Sequence, residues 1–133
     1  MRASARLASG NQREGARFDE RRYFGHPPAG FGLRSTPSWS PVASMTTARV
    51  GLAAVAAPSG VIYAIGGKSA GLTVLDSVEA YDPKTDTWAP AGRLRAPRAF
   101  AAGAFADGHI YVIGGITTPD VTSVTALVEA YLP

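Results

Sequence analysis

Val61-Ile62-Tyr63-Ala64-Ile65-Gly66-Gly67 returns further along the chain as Ile110-Tyr111-Val112-Ile113-Gly114-Gly115. Tyr63 to Tyr111 is 48 positions, and so is Gly66 to Gly114. The flanks recur with it: Trp39 and Trp88, Arg49 and Arg98, Val78-Glu79-Ala80-Tyr81 and Val128-Glu129-Ala130-Tyr131. Self-similarity at about 50 residues marks a repeat architecture, in which each copy is one supersecondary unit that buries its faces against its neighbours.

Within a copy the texture is that of short strands. Arg49 to Ala57 is a run of small residues ended by Pro58-Ser59-Gly60, a turn signal. Val61 to Ile65 is short, β-branched and aromatic, and reads as a strand covered on both faces. Val74 to Tyr81 is a third strand, Asp82 to Asp86 a hairpin turn, and Thr87 to Pro90 a fourth strand. The second copy repeats the order: Arg98 to Ala106, a tight turn at Asp107-Gly108, His109 to Ile113, and Val124 to Tyr131. Trp39 to Met45 reads as an isolated fourth strand, with Pro41 where an edge strand tolerates it. Four short strands in about 50 residues make one blade of a β-propeller. The expected class is all-β: four-stranded antiparallel blades, forming part of a propeller.

Composition narrows the function. Residues 1–38 hold seven Arg against Glu14, Asp19 and Glu20, whereas 39–133 hold six basic and seven acidic residues. The basicity belongs to a tail, so the folded part has no nucleic-acid-binding character. The tail lacks either strand or helix period and is rich in Arg, Gly, Ser and Pro; it reads as a disordered basic segment, 1–38. Its Arg and Ser suit a transit peptide, but its acidic residues and scattered Gly and Pro oppose that reading. No Cys is present, which removes disulfides, thiolate chemistry and Cys-ligated metal. No run of 18 apolar residues suggests a membrane span, and no apolar leader is visible; the compartment stays open, with the cytoplasm favoured.

Few residues suggest chemistry. Gly67-Lys68-Ser69-Ala70-Gly71 has the letters of a nucleophile elbow, with Asp107 and His109 downstream. The elbow needs a following helix, and Leu72-Thr73-Val74-Leu75 is β-rich. A phosphate loop would need Gly at position 62, where Ile62 stands. His26 and His109 are the only histidines, and no carboxylates stand at ligand spacing. Glu79 and Glu129 recur, and are read as residues that orient loops. The expectation is no catalytic residue, no cofactor and no metal.

The quoted stretches resemble the kelch repeat: an Arg-led first strand, Ile-Tyr-Ala-Ile-Gly-Gly, Ser-Val-Glu-Ala-Tyr-Asp-Pro, then Thr-Asp-Thr-Trp. The resemblance covers 39–133, with one complete repeat at 49–92, a second lacking its fourth strand at 98–133, and the N-terminal strand 39–45. Its signature residues are Gly66, Gly67, Tyr81, Trp88, Gly114, Gly115 and Tyr131. The resemblance implies a propeller used as a protein-interaction module, without catalysis. It implies a partner-binding rim at Arg49, Arg93, Arg95, Arg98, Lys68 and Ser69, in the loops before the inner strands and after the double Gly. Arg suits such a rim because its donors form a fixed fork. A fourth strand first and three strands last resembles the way kelch propellers close. Two blades cannot close a ring, so the chain is expected either to be a fragment of a longer propeller, or to assemble with its own copies, three chains giving six blades. The alternatives are part of a propeller enzyme of galactose oxidase or sialic-acid mutarotase type, and a non-functional truncated product.

Overall fold

The computed structural model describes residues 37–133. The expected disordered tail, apart from its last two residues, lies outside the described residues. The chain divides into two units, Met1–Trp39 and Ser40–Pro133. Of the first, residues 37–39 are described; they are exposed and in no element.

The second unit is built of strands alone: β1 (Arg49–Val50), β2 (Ala53–Ala56), β3 (Ile62–Ile65), β4 (Lys68–Ser69), β5 (Ser77–Asp82), β6 (Thr87–Arg93), β7 (Ala102–Ala106), β8 (His109–Ile113) and β9 (Val128–Tyr131). No described residue is helical. Blade 1 is an antiparallel sheet in the order β2-β3-β5-β6, and blade 2 one in the order β7-β8-β9. Equivalent residues pair alike: Ala53 with Ile65 and Ala102 with Ile113, Ile62 with Tyr81 and Ile110 with Tyr131.

Local chemistry sets the turns. Asp107 and Gly108 both have positive φ (47° and 76°), as a two-residue hairpin of the right twist requires. At the β5–β6 hairpin the Asp82 carboxylate accepts from the Lys84 N–H (2.8 Å), and Asp86 takes the left-handed residue, φ 53°.

Alternation decides which side chains meet. Ala53 and Val55 of β2 are buried, whereas Ala54 and Ala56 are exposed. The buried pair packs on β7: a Cβ at Gly103 would come within 2.5 Å of Val55 Cγ2. Small residues in the inner strands are thus required by the approach of one blade to the next. The core formed between the blades includes Tyr63, Ile65 and Val78 with Ile110 and Val112.

Two expectations are corrected. Residues 39–45 are in no strand, and among the described residues neither edge strand of blade 1, β2 or β6, takes them as a partner. The segment is held by single contacts instead. Ala43 N–H donates to Asp86 Oδ1 (2.8 Å), and Trp88 Nε1 donates to the Ala43 carbonyl (2.8 Å). The first strand of the complete repeat is also broken in two, because Gly51 (φ 61°) turns the chain between β1 and β2.

Candidate functional site: buried Arg–Glu clamps and a loop rim

The charged residues that lead the inner strands point into the fold. Arg49 Nη2 meets Glu79 Oε1 at 2.5 Å, and Arg49 Nη1 donates to the carbonyls of Gly66 and Ser77, each at 3.0 Å. Glu79 also accepts from Thr46 N–H (2.8 Å), Thr46 Oγ1 (2.5 Å) and Thr47 N–H (3.2 Å). Burial alone would raise the Glu79 pKa, but the bonds from Thr46 and Arg49 outweigh it and hold the carboxyl below its ordinary value. Blade 2 repeats the clamp. Arg98 Nη2 pairs with Glu129, Nη1 donates to Leu127 O (2.8 Å), and Arg95 N–H donates to Glu129 Oε2 (2.9 Å). Burial likewise pushes Glu129 up, and the bonds from Arg95 and Arg98 bring it down on balance.

Each clamp ties the start of an inner strand to the third strand of the same blade. Each Glu also fixes the loop ahead of its Arg, which is the loop-orienting part the sequence suggests. Arg49 and Arg98 are therefore corrected from rim to core: both side chains are 0% exposed. The reason is the double Gly. Its turn leaves carbonyls unpaired within the sheet, and the guanidinium fork supplies donors for them while Glu neutralises the charge.

Arg98 has a further part. Its carbonyl accepts from Gly67 N–H (2.7 Å) and its N–H donates to Leu75 O (3.0 Å), both in blade 1. Its backbone is thus bonded to one blade and its side chain to the next. A Cβ on Gly66 would fall on the Arg98 carbonyl oxygen, so Gly66 is needed for docking as well as for its φ of 61°.

Of the other rim residues, Arg93 is exposed and bonded to Asp76 (2.9 Å), and Arg95 is exposed. Both stand at the same end of the sheets as the double Gly, on the β6 side. Lys68 and Ser69 form β4 and pair with Val50 and Arg49. This disposes of the elbow reading for Ser69: the double Gly leads into a strand and a turn closed by Leu72 N–H on Ser69 O (2.9 Å). Lys68 Nζ donates to the Pro119 carbonyl (2.5 Å), which joins the two post-diglycine loops, and lies 5.5 Å from the Phe100 ring centroid.

Phe100 was not legible in the sequence. It is 59% exposed, yet its φ is 56°. It is held there by its N–H on Gly51 O (2.6 Å) and by its ring lying over Gly51, where a Cβ would come within 2.6 Å. Leu72 is also exposed with φ 61°. Val50 lies beside Lys68 in the β1–β4 ladder, and Val121 follows Pro119; both are exposed. Bulky residues at positive φ are strained, and exposed ones return none of that cost as core packing.

Of the signature residues, Gly66, Gly67, Gly114 and Gly115 end the second strands at positive φ. Tyr81 stacks on Trp88 (5.1 Å between centroids), and Tyr131 meets Tyr63 of blade 1 edge-on at 6.0 Å. Between the blades a cavity of about 150 Å³, whose lining includes Ala91, Leu94, Ile110, Val112 and Tyr131, opens beside β9.

The family model described as Kelch motif matches residues 49–95. Among similar curated proteins, Kelch-like protein 33 of Homo sapiens is 41% identical over 86 residues, which is 62% of this chain and 16% of that protein. F-box/kelch-repeat protein SKIP11 of Arabidopsis thaliana is 36% identical over 90 residues, 68% of this chain and 19% of that protein. Kelch-like protein 28 of Homo sapiens is 45% identical over 65 residues, 47% of this chain and 11% of that protein. The chain spans less than a fifth of the length of each. Residues 49–95 of this chain are a kelch motif, and the two sheets led by Arg49 and Arg98 are blades of the kelch type.

Proposed function

We propose that the chain is a non-catalytic kelch-repeat interaction module that binds a protein partner at the loop rim around Lys68. The observation that carries this reading is Phe100: a large apolar side chain, exposed and held in a left-handed backbone conformation by Gly51 and Lys68. Strain that stability does not explain gathers where a surface is shaped for binding. Val50, Leu72 and Val121 are exposed apolar residues of the same loops; Lys68, buried beneath them, ties those loops together through the Pro119 carbonyl, and half-buried Ser69 adds a polar group. A rim of this composition, with an aromatic anchor amid polar groups, fits a protein surface better than a small substrate. Buried Arg49, Glu79 and Arg98 are engaged in the clamps and buried Lys68 on the Pro119 carbonyl, which supports a structural rather than a catalytic use of them. Arg93 and Arg95 keep a second place in the proposal, as charged residues at the same end.

The test is affinity capture with quantitative mass spectrometry, comparing the native chain with Phe100→Gly. Gly suits a φ of 56° and keeps the backbone, so the sheets persist while the anchor is lost. Partners captured by the native chain and lost by F100G, at unchanged circular dichroism, support the reading. Equal capture by both refutes it.

A further inference from the structure

The two copies differ in one rim loop. After the double Gly, blade 1 closes its loop by Ser69 N–H on the Thr73 carbonyl (3.0 Å), and blade 2 by Thr117 N–H on the Ser123 carbonyl (3.1 Å). The first of these equivalent bonds spans four positions, 69 to 73, and the second spans six, 117 to 123. Blade 1 thus makes the same connection with two residues fewer, so the sheet does not need the longer loop. The added length carries Thr118-Pro119-Asp120-Val121-Thr122, and all five residues are exposed. Loop length that the fold does not require is where function concentrates.

The loop is held by its own hydroxyls. Thr118 N–H donates to Ser123 Oγ (2.9 Å), and Thr118 Oγ1 donates to Asp120 Oδ1 (2.6 Å) and also meets Ser123 Oγ. Thr122 Oγ1 donates to the same oxygen of Asp120 (2.9 Å). The bonds from Thr118 and Thr122 hold the Asp120 carboxyl below its ordinary value, and the charge of Lys68 acts in the same direction. Lys68 Nζ donates to the carbonyl of Pro119, the residue between Thr118 and Asp120. The Thr118 hydroxyl is therefore exposed, precedes a proline, is bonded to a carboxylate, and stands one residue from the bond that ties the two post-diglycine loops. With five exposed residues and little buried apolar contact, such a loop opens locally at small cost.

We propose that Thr118 is a phosphorylation site for a proline-directed protein kinase, and that its phosphate switches the Lys68 tie. The phosphoryl donor is ATP. Thr118 Oγ1 forms a bond to the γ-phosphorus, the bond from that phosphorus to the β–γ bridging oxygen breaks, ADP leaves, and the hydroxyl proton passes to the catalytic aspartate of the kinase. Pro119 suits this kinase class. Proline offers no N–H and biases the residue before it toward the extended backbone in which a substrate segment is read. Ser40-Pro41 has the same pair of letters, but among the described residues the Ser40 side chain makes no hydrogen bond, so a phosphate there would change none.

At Thr118 the modification reverses the loop's electrostatics. It removes the hydroxyl proton and adds a charge of about −1.5 to −2. Oγ1 can no longer donate to Asp120, and two anions face each other across the former hydrogen bond. Asp120 is driven off and the hydroxyl bonds that close the loop are lost. Lys68 is the cation at hand: its charge already reaches Asp120, and its ammonium has three donors, one of them on Pro119. A charge-assisted bond to phosphate is stronger than a bond to a neutral carbonyl, so Lys68 leaves Pro119 for the phosphate. Phe100 then loses the cation 5.5 Å from its ring centroid. The site and the opening stand on the loop's own bonds. The effect on a partner rests on the rim reading above: a partner docked on the tied loops binds the unmodified chain more tightly.

No partner enters the test, so its failure is distinct from a failure of the rim reading. The native full chain is incubated with a recombinant proline-directed kinase and magnesium ATP, beside a model peptide that reports kinase activity. Peptide mapping by mass spectrometry should place a phosphate on Thr118, absent from Pro119→Ala, which keeps the carbonyl that Lys68 uses. A bare Thr118 beside a phosphorylated model peptide overturns the site. On the phosphorylated chain, amide exchange at Thr117 and Thr118 should rise severalfold, while that at Gly67, bonded between the blades, stays as it was. Asp120→Asn keeps an acceptor oxygen and removes the like charge, so its rise should be smaller. The second ionisation of the phosphate, followed by phosphorus NMR, should move to higher pH in Lys68→Met, because the ammonium favours the dianion. The counterpart of Lys68 in blade 2 is buried Ile116, so the fold accepts an apolar side chain there. Unchanged exchange at Thr117 and Thr118, an equal rise in Asp120→Asn, or the same ionisation midpoint in Lys68→Met and the native chain would each overturn the switch.

Discussion

Replacing Glu79 with alanine would leave the Arg49 guanidinium without a counter-charge inside blade 1. The side chain of Arg49 is 0% exposed and that of Glu79 6%, so water cannot take over. Arg49 would keep its carbonyl acceptors at Gly66 and Ser77, which hold hydrogen bonds but not charge. Breaking a buried pair in this way costs about 3–5 kcal/mol. Thr46 and Thr47 would also lose the acceptor of their backbone N–H groups, at about 1 kcal/mol each where water does not replace it. A loss of about 4 kcal/mol lies within reach of the whole stability of a domain this size, about 5–15 kcal/mol. At a urea dependence of about 2 kcal/mol per molar, the unfolding midpoint falls by about 2 M. The assay is urea unfolding followed by Trp88 fluorescence and far-ultraviolet circular dichroism. A double variant, Arg49→Met with Glu79→Leu, removes both charges and should recover the part of the loss due to the unpaired guanidinium, while the bonds to Gly66, Ser77, Thr46 and Thr47 stay lost. A loss below about 1 kcal/mol for Glu79→Ala would refute the reasoning, as would a double variant no better than the single one.

Four further outcomes follow from the same geometry. Glu79 and Glu129 have folded pKa values below the ordinary 4.5, so their stabilisation is present above about pH 4.5 and is lost as pH falls through the depressed folded values; acid unfolding should be shallower in Glu79→Ala than in the native chain. Gly66→Ala drives a methyl into the Arg98 carbonyl and should cost several kcal/mol, whereas Gly114→Ala meets only backbone strain of about 1–2 kcal/mol; thermal melts separate the two. Trp88→Phe removes the donor to Ala43 and should cost about 1 kcal/mol while raising amide exchange at Ala43 and Thr46. Phe100→Gly relieves a strained φ and should leave the melting temperature within a few degrees of the native value, despite losing an aromatic ring.

Strand order and turns were legible because they rest on local chemistry. The apolar run ending at Gly66-Gly67, the Asp107-Gly108 turn and the small residues of the inner strands each carry their reason within a few positions. The location of Arg49 and Arg98 was not, because an arginine's depth depends on what lies opposite it, and Glu79 is 30 residues away. A signal did exist: Arg and Glu recur together in both copies, and opposite charges kept in step among apolar strands point to a buried pair. Phe100 escaped for the contrary reason. Its counterpart in the first copy is Gly51, so comparison of the copies conceals it. Trp39 to Met45 has the pattern of an outer strand, but a pattern cannot supply the edge it pairs with.

Arg98 shares its atoms between two blades: main chain in one, guanidinium in the other. The structural module is therefore offset from the repeating module of the sequence. Unequal recombination that inserts or deletes one repeat in frame regenerates this junction wherever the crossover falls, because each new Arg finds a double Gly behind it and a Glu ahead. Blade number can then drift over generations without any junction having to be reinvented, while gain or loss of even one residue within the junction disturbs two blades together.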